Sequence, residues 1–329
     1  MGDPTIRRTF SSTLSFCLIL IMSVLLLAAP LSESLRVCFL ERGYQFASYE
    51  EVMQKQLQIK VTGIHTSNKL RLDAATLQQF PSLRWISRLG SGMEIIDQIY
   101  CAQHQIVCLS SPGGIANAVA EHLIGMLLGL LHHIPAAARQ VSEGMWLRES
   151  NRGHELAALR VGLIGYGHTG RLFAQKLLTF TSPVLVYDKY RKGFADTGIR
   201  ETDLHTIQKE ADIISFHVPL QEDTRHYYNH AFLEQMNKPH ILLNTSRGEV
   251  VHTPVLLEGL QNGRVKGACL DVLEDEKMLE NGQAKNHPYL TQLLSYPVLL
   301  TPHIAGYSFE AIDNMSEELR IQLVQLPQF

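Results

Sequence analysis

The sequence has no CxxC pair and no histidine–cysteine grouping at metal-ligand spacing, so neither a zinc site nor any other bound metal is expected. Its five cysteines (Cys17, Cys38, Cys101, Cys108, Cys269) are odd in number and scattered. That argues against a disulfide framework and fits reduced thiols. There is no basic stripe for nucleic acid, no acidic tail and no low-complexity tract. Internal repeats and long linkers are missing as well. What remains is an ordinary globular composition, with 45% hydrophobic residues and a formal net charge of −3 over 329 residues. That length suits about two domains, each with a core large enough to need no staples.

The N-terminus carries an apolar run, FCLILIMSVLLLAAP from Phe16 to Pro30, behind Arg7 and Arg8. It is too short for a comfortable membrane span, although it has the outline of a signal peptide. We read it instead as the start of an α/β unit. Cys17 to Met22 would be a buried strand, Ser23 to Leu35 a short helix, and Arg36 to Leu40 the next strand. Cleavage near Pro30 would delete a strand and a helix from that unit. On this reading residues 1–15 are a disordered extension and the protein is cytoplasmic. Export is the alternative if the run is a signal peptide.

Strand-like and helix-like runs alternate along the rest of the chain, which is the pattern of parallel sheets covered by helices. Strands are expected at Ile59 to Ile64, Leu83 to Leu89, Gln105 to Ser110, Ala211 to Leu220, His240 to Gly248, Val265 to Leu273 and Pro297 to Ile304. A turn at Pro112–Gly113–Gly114 should precede a long apolar helix from Asn117 to about Ile134.

The most informative stretch is VGLIGYGHTG, Val161 to Gly170. Gly165, Gly167 and Gly170 lie between an apolar strand and a helix, where they allow a tight turn, close approach of backbone amides to a pyrophosphate, and close helix packing. Asp188 lies 18 residues beyond Gly170, placed to accept hydrogen bonds from a ribose and to repel a 2′-phosphate. The expected cofactor is therefore NAD rather than NADP, with Lys189, Arg191 and Lys192 pulling the other way.

Four further segments lie at strand ends, where an open α/β sheet binds ligands. Arg247, in NTSRGEVV, presents a planar fork suited to a carboxylate; the plainer reading is a structural arginine. Asp271 and Glu276, in LDVLEDEK, belong to an acidic cluster that composition alone makes a solvated loop. His303, in TPHIAG, becomes a general acid only with a carboxylate partner. Gly90, Ser91 and Gly92 ahead of a helix form a compact amide array for a small anion, or simply a tight turn.

Taken in order, SRLGSGMEIID, NAVAEH, GLIGYGHTG, HVPL, NTSRGEVV, GACLDVLEDE and TPHIAG resemble the D-isomer-specific 2-hydroxyacid dehydrogenase family, over nearly the whole chain from about Cys17. The resemblance implies two doubly wound parallel-sheet domains, with a Rossmann NAD-binding domain (116–303) inserted into a flavodoxin-like substrate domain (16–115 and 304–329). The active site would lie in the cleft between them, and the protein would be a homodimer through the long-helix region. Arg247, Glu276 and His303 match the family's catalytic residues. Cofactor contacts would fall on Gly165, Gly167, His168, Thr169, Gly170, Asp188, His217, Val218, Pro219, Thr224, Thr245, Ser246, Arg247, Asp271, His303 and Gly306. The substrate carboxylate would meet Gly90, Ser91, Gly92 and Arg247. Many members have proline after the catalytic glutamate; here Lys277 stands there. Formate dehydrogenases have glutamine at the position of Glu276, which argues against formate.

The expected activity is therefore NAD-dependent interconversion of a small D-2-hydroxy acid and its 2-keto acid, of the phosphoglycerate, lactate, glyoxylate or hydroxypyruvate type. With the chain read as ending at Phe329, a long amino-acid-regulated form is not expected. The rival reading is an NAD-binding corepressor-like scaffold on the same fold, which long disordered flanks would favour. No nucleic-acid or membrane partner is expected.

Overall fold

Val24 to Ala28, VLLLA, is apolar on both faces and forms a buried strand, β1. In the computed structural model, which describes residues 23–282 and 286–327, this corrects the expected N-terminal pattern. The segment assigned to a helix contains β1, and the segment assigned to the next strand lies inside helix α1 (Glu33–Glu41). The reason is local. Ser32 accepts the Leu35 N–H as N-cap, so the helix starts after Pro30 rather than before it. The expected strand at Cys17 to Met22 and the extension at 1–15 fall outside the described residues. Because β1 pairs with strands on both sides, cleavage near Pro30 would remove an internal strand.

The first sheet continues with β2 (Gln45–Ala47), α2 (Tyr49–Gln54), β3 (Val61–Thr66), α3 (Ala74–Leu77), β4 (Trp85–Arg88), α4 (Gln98–Gln103) and β5 (Val107–Ser110). Its order is β2-β1-β3-β4-β5, all parallel, which is the flavodoxin-like winding. Alternate residues of β1 enter opposite cores. Val24 and Leu26 pack with Ile64 and Ile86, whereas Leu25 packs with Phe39 and Trp85.

Two helices follow, α5 (Pro112–Leu131) and α6 (Ile134–Ser142). The expected Pro112–Gly113–Gly114 turn is in fact the first turn of α5, because proline fits the first helical position. The chain then runs through β6 (Val161–Ile164), α7 (His168–Leu177), β7 (Val184–Tyr187), β8 (Ile199–Glu201), α8 (Leu204–Glu210), β9 (Ile213–Phe216) and α9 (His230–Gln235). It closes with β10 (His240–Asn244), α10 (Thr253–Gln261), β11 (Val265–Leu270), α11 (Leu290–Leu293), β12 (Val298–Leu300) and α12 (Phe309–Leu323). The second sheet has the order β12-β11-β10-β9-β6-β7-β8. Its direction of winding reverses between β6 and β9, as in a Rossmann fold. Both sheets are doubly wound, as the family resemblance implies, and parallel, as the alternation of strand-like and helix-like runs predicts.

Leu242 and Leu243 of β10 show how the second sheet is held. The first joins a core roofed by Phe232, Val255 and Leu256, and the second a core roofed by Leu123, Leu127, Phe173 and Leu177. Each such fully buried side chain contributes roughly 1.5–3 kcal/mol. Helix α5 is long and apolar enough to cross a bilayer by length and composition, but half of it is buried in protein. It packs on α7 on one side and on α12 on the other. At Gly114 an added Cβ would lie 2.4 Å from the Met315 backbone nitrogen, so α12 rests directly on the start of α5. Helix α12 also packs on α1 and β5, which ties the end of the chain to the first sheet.

Candidate active site

The glycine turn leaves β6 at Gly165, whose φ of +100° lies in the left-handed region. A Cβ there would sit 2.3 Å from the His217 carbonyl oxygen, and one at Gly170 would sit 2.3 Å from the Gly165 carbonyl. Gly167 differs, with nothing within 4 Å of its added Cβ. Two glycines are thus demanded by backbone contact. The third leaves open the space over the N-terminus of α7, where His168 and Thr169 are the first two helical residues. Free helix N–H groups facing that space suit a pyrophosphate.

Asp188, just after β7, accepts the Tyr166 N–H at 2.7 Å and the Tyr190 and Arg191 N–H groups at 2.8 Å. Burial works against its ionisation, but these three amides hold its carboxyl below the ordinary value. The carboxylate therefore ties the end of β7 to the glycine turn. Two of the neighbouring cations are already engaged: Lys189 pairs with Asp223 at 2.5 Å, and Lys192 donates to the Asp188 carbonyl at 3.1 Å.

Across the turn, His217 Nε2 lies 2.9 Å from the Ser215 hydroxyl, and burial pulls its imidazole down to about 3. Its Nδ1 and the Thr245 hydroxyl are buried without a protein partner. Unpaired buried polar atoms at a crevice are what a polar ligand would satisfy. A dinucleotide therefore fits these residues. Val218 lies against Gly165, and Pro219 carries its carbonyl to the Thr224 hydroxyl at 2.6 Å, which also accepts the Gln221 N–H at 2.7 Å. Thr224 thus shapes the loop.

On the opposite side, buried Asn244 at the end of β10 organises the next turn. Its Oδ1 accepts from the Ser246 N–H and hydroxyl, and its Nδ2 donates to the Arg247 carbonyl at 2.8 Å. Gly248 packs on Leu273, which its added Cβ would approach to 2.1 Å. Arg247 is thereby aimed at the first sheet. Its Nε donates to Glu94 Oε1 at 2.9 Å, its Nη1 to the Ser246 carbonyl at 2.6 Å, and its Nη2 lies against Gly92. Beneath the same loop, Arg88 donates through Nη1 to the Leu89 carbonyl. Burial, followed by the neighbouring Arg247 charge, lowers Arg88 to about 10. Gly90, with φ +138°, gives its N–H to the Ser111 hydroxyl at 3.0 Å. Of the three residues expected to cradle an anion, Gly90 thus has its amide already engaged within the protein.

His303 Nδ1 lies 2.8 Å from Glu276 Oε1. This hydrogen bond and charge raise the imidazole above its ordinary value, against desolvation and the charge of Arg247. The backbone of His303 is left-handed, φ +55°, a conformation that costs a non-glycine residue about 1–3 kcal/mol. Asp271 holds it there. The Asp271 carbonyl accepts the His303 N–H at 2.8 Å, and its carboxylate accepts from the Thr301 hydroxyl at 2.6 Å and from the Ile304 and Ala305 N–H groups at 2.9 and 2.8 Å. His122 of α5 reaches the same Thr301 hydroxyl at 3.0 Å. Gly306, next in the loop, packs on Ile115.

The acidic cluster is not the solvated loop its composition suggests. Glu274 Oε1 meets His226 Nε2 at 2.6 Å, and Oε2 accepts the Thr253 N–H at 2.6 Å. The Glu274 carbonyl meets His287 Nε2 at 2.8 Å. These contacts pin the loop just before Asp275, which is left-handed at φ +56°, and turn Glu276 toward His303. Sequence reasoning missed Arg88, Glu94 and His122. Each stands inside a motif already singled out (SRLGSGMEIID or NAVAEH), and a charged residue within an otherwise apolar or glycine-rich motif was the available signal.

Residues 124–305 match the family described as D-isomer specific 2-hydroxyacid dehydrogenase, NAD binding domain. The chain belongs to this family. It is 35% identical to a glyoxylate reductase of Thermofilum pendens, over 75% of this chain and 73% of that protein. It is 33% identical to a hydroxypyruvate reductase of Thermotoga maritima, over 82% and 85% respectively. Among solved structures it is similar to a D-lactate dehydrogenase of Aquifex aeolicus complexed with NAD and lactic acid. The TM-score there is 0.78 and the identity 28%, over 92% of this chain and 94% of that one. The protein is an oxidoreductase, a D-2-hydroxyacid dehydrogenase that uses a nicotinamide dinucleotide.

Proposed function

We propose that this dehydrogenase interconverts a small D-2-hydroxy acid and its 2-keto acid, using NAD in preference to NADP. The observation that carries the reading is the His303–Glu276 contact of 2.8 Å, with Arg247 near enough for its charge to act on the His303 imidazole. When bound, the dinucleotide supplies or takes the hydride. The chain's own residues do the rest.

Arg247 orients the substrate carboxylate and polarises the carbonyl, with the Gly92 loop as its floor. Because Glu276 occupies Nδ1, the transferable proton sits on Nε2 of His303. In reduction His303 gives that proton to the developing alkoxide oxygen, and in oxidation it takes the hydroxyl proton. Glu276 favours the charged imidazolium and fixes the ring's orientation. Asp271 keeps the His303 backbone in its strained, productive shape.

Asp188 supports the cofactor preference, since a carboxylate at the ribose repels a 2′-phosphate and two of the neighbouring cations are already engaged. A homodimer is supported by the exposed apolar residues of α6 and the loop after it: Ile134, Val141, Met145, Leu147 and Trp146, the last 80% exposed. Such a patch calls for a covering surface.

The test is a panel of glyoxylate, pyruvate, hydroxypyruvate and 3-phosphohydroxypyruvate, assayed by consumption of NADH and of NADPH. Turnover with a higher kcat/KM for NADH is expected. Absence of turnover on every acid would refute the activity, and equal or better use of NADPH would refute the role given to Asp188.

A further inference from the structure

The loop after β7 follows Asp188 with three cations, a composition that by itself invites a 2′-phosphate. Lys192 donates to the Asp188 carbonyl at 3.1 Å and lies over the Tyr187 ring, 5.6 Å from its centroid. Arg191 gives its N–H to the Asp188 carboxylate at 2.8 Å, and its charge bears on that same group. Lys189 is answered from outside the loop. Its Nζ pairs at 2.5 Å with Asp223, in the loop after β9. Strand β6 lies between β7 and β9, so the two loops flank the glycine turn and the ion pair bridges them. The Asp223 loop is internally braced. The Gln221 N–H donates to the Thr224 hydroxyl at 2.7 Å, that hydroxyl donates to the Pro219 carbonyl at 2.6 Å, and the Arg225 N–H returns to the Gln221 carbonyl at 2.9 Å.

We propose that Asp223 is a second cofactor-specificity residue, which holds Lys189 away from an adenosine 2′-phosphate and so reinforces the selection of NAD made at Asp188. This rests on the NAD preference read above and adds a determinant from a different strand end. A 2′-phosphate carries about two negative charges. To engage Lys189 it has to break the pair with Asp223 and then lie close to the released carboxylate. The pair is half exposed, so each charge contact counts for little by itself. Losing Asp223 both frees a cation and removes a repulsion, which together correspond to roughly three- to tenfold in relative affinity.

Titration calorimetry with adenosine 5′-monophosphate and adenosine 2′,5′-bisphosphate reads this without turnover, beside kcat/KM for NADH and NADPH. The wild type should favour the monophosphate and NADH. Asp223→Asn should shift both ratios by about three- to tenfold toward the 2′-phosphorylated ligand. Glu222→Gln removes an equal charge from the neighbouring position and should move them by less than about twofold. Adding Lys189→Met to Asp223→Asn should return both ratios to within about twofold of wild type. Should Asp223→Asn not fold, Lys189→Met alone, which uncovers the Asp223 carboxylate, should shift the ratios the opposite way, and no shift would count equally against the proposal. Unchanged ratios in Asp223→Asn, an equal effect of Glu222→Gln, or a double variant that stays at the Asp223→Asn level would overturn it while leaving Asp188 and the dehydrogenase reading intact. A wild type that favours the bisphosphate and NADPH would remove the role of Asp188 and this one with it.

Discussion

Replacing Arg247 with alanine removes the planar fork that holds the substrate carboxylate. A hydrogen bond to a charged partner is worth about 1.5–3 kcal/mol, and bidentate recognition uses two, so the loss is roughly 3–6 kcal/mol. That corresponds to a fall in kcat/KM of about a hundredfold to ten-thousandfold, since 1.36 kcal/mol is tenfold. Lysine in its place keeps a charge but not the fork, and it cannot hold Glu94 through Nε while also reaching the substrate. Arg247→Lys should therefore lose about tenfold to a hundredfold, on the order of one charged hydrogen bond. Because the Arg247 side chain contacts Glu94, Ser246 and Gly92 rather than the glycine turn, NADH affinity should stay within a few-fold in both variants. The assay is steady-state kinetics on the best keto acid, together with NADH binding by fluorescence. Near-wild-type activity in Arg247→Lys would refute bidentate recognition, and loss of NADH binding in Arg247→Ala would refute a substrate-side role.

The raised pKa of His303 sets a pH dependence, read from parallel pH–kcat/KM curves. Reduction needs the protonated ring and falls as pH rises through that pKa, whereas oxidation needs the neutral ring and rises over the same range. Glu276→Gln keeps the shape and removes the charge, so the reduction profile should move to lower pH; an equal change at every pH would leave Glu276 a positioning residue only. Gly167→Ala, with open space around its added Cβ, should fold with a near-normal Tm yet bind NADH more weakly. Gly170→Ala meets backbone at 2.3 Å and should cost about 1–3 kcal/mol of stability, lowering Tm in calorimetry; the reverse pattern would refute the separation of roles. Gly114→Ala should likewise lower Tm by wedging α12 away from α5, and an unchanged Tm would show that the contact is soft.

The alternation of apolar strands with amphipathic helices determined two parallel sheets covered by helices, because a parallel strand buried on two faces must be apolar along its length; their doubly wound order followed only from the family resemblance. The glycine spacing determined the turn at β6, since Gly165 and Gly170 have no room for a side chain. The N-terminal elements were misplaced by one whole element, β1 lying where the helix was expected and α1 where the next strand was. A continuous apolar run has no periodicity to separate strand from helix, and only the pairing of β1 with β2 and β3 resolves it. The reading of Pro112–Gly113–Gly114 as a turn failed for a related reason: its small residues serve close packing with α12, a contact about 200 residues away along the chain that no local pattern records.

For the site, the sequence alone determined which residue types lie at the carboxyl edges of the strands, and so which could touch a ligand. The tertiary structure decided how each is used. Asp271 and Glu276 look alike in an acidic run, yet one is buried and wraps the 301–305 loop while the other faces His303. Glu94 and Arg247 are 153 positions apart and become partners only when the two sheets close on one cleft. Charge balance in that cleft is a property of distances between segments remote in sequence, set by burial and screening at each position.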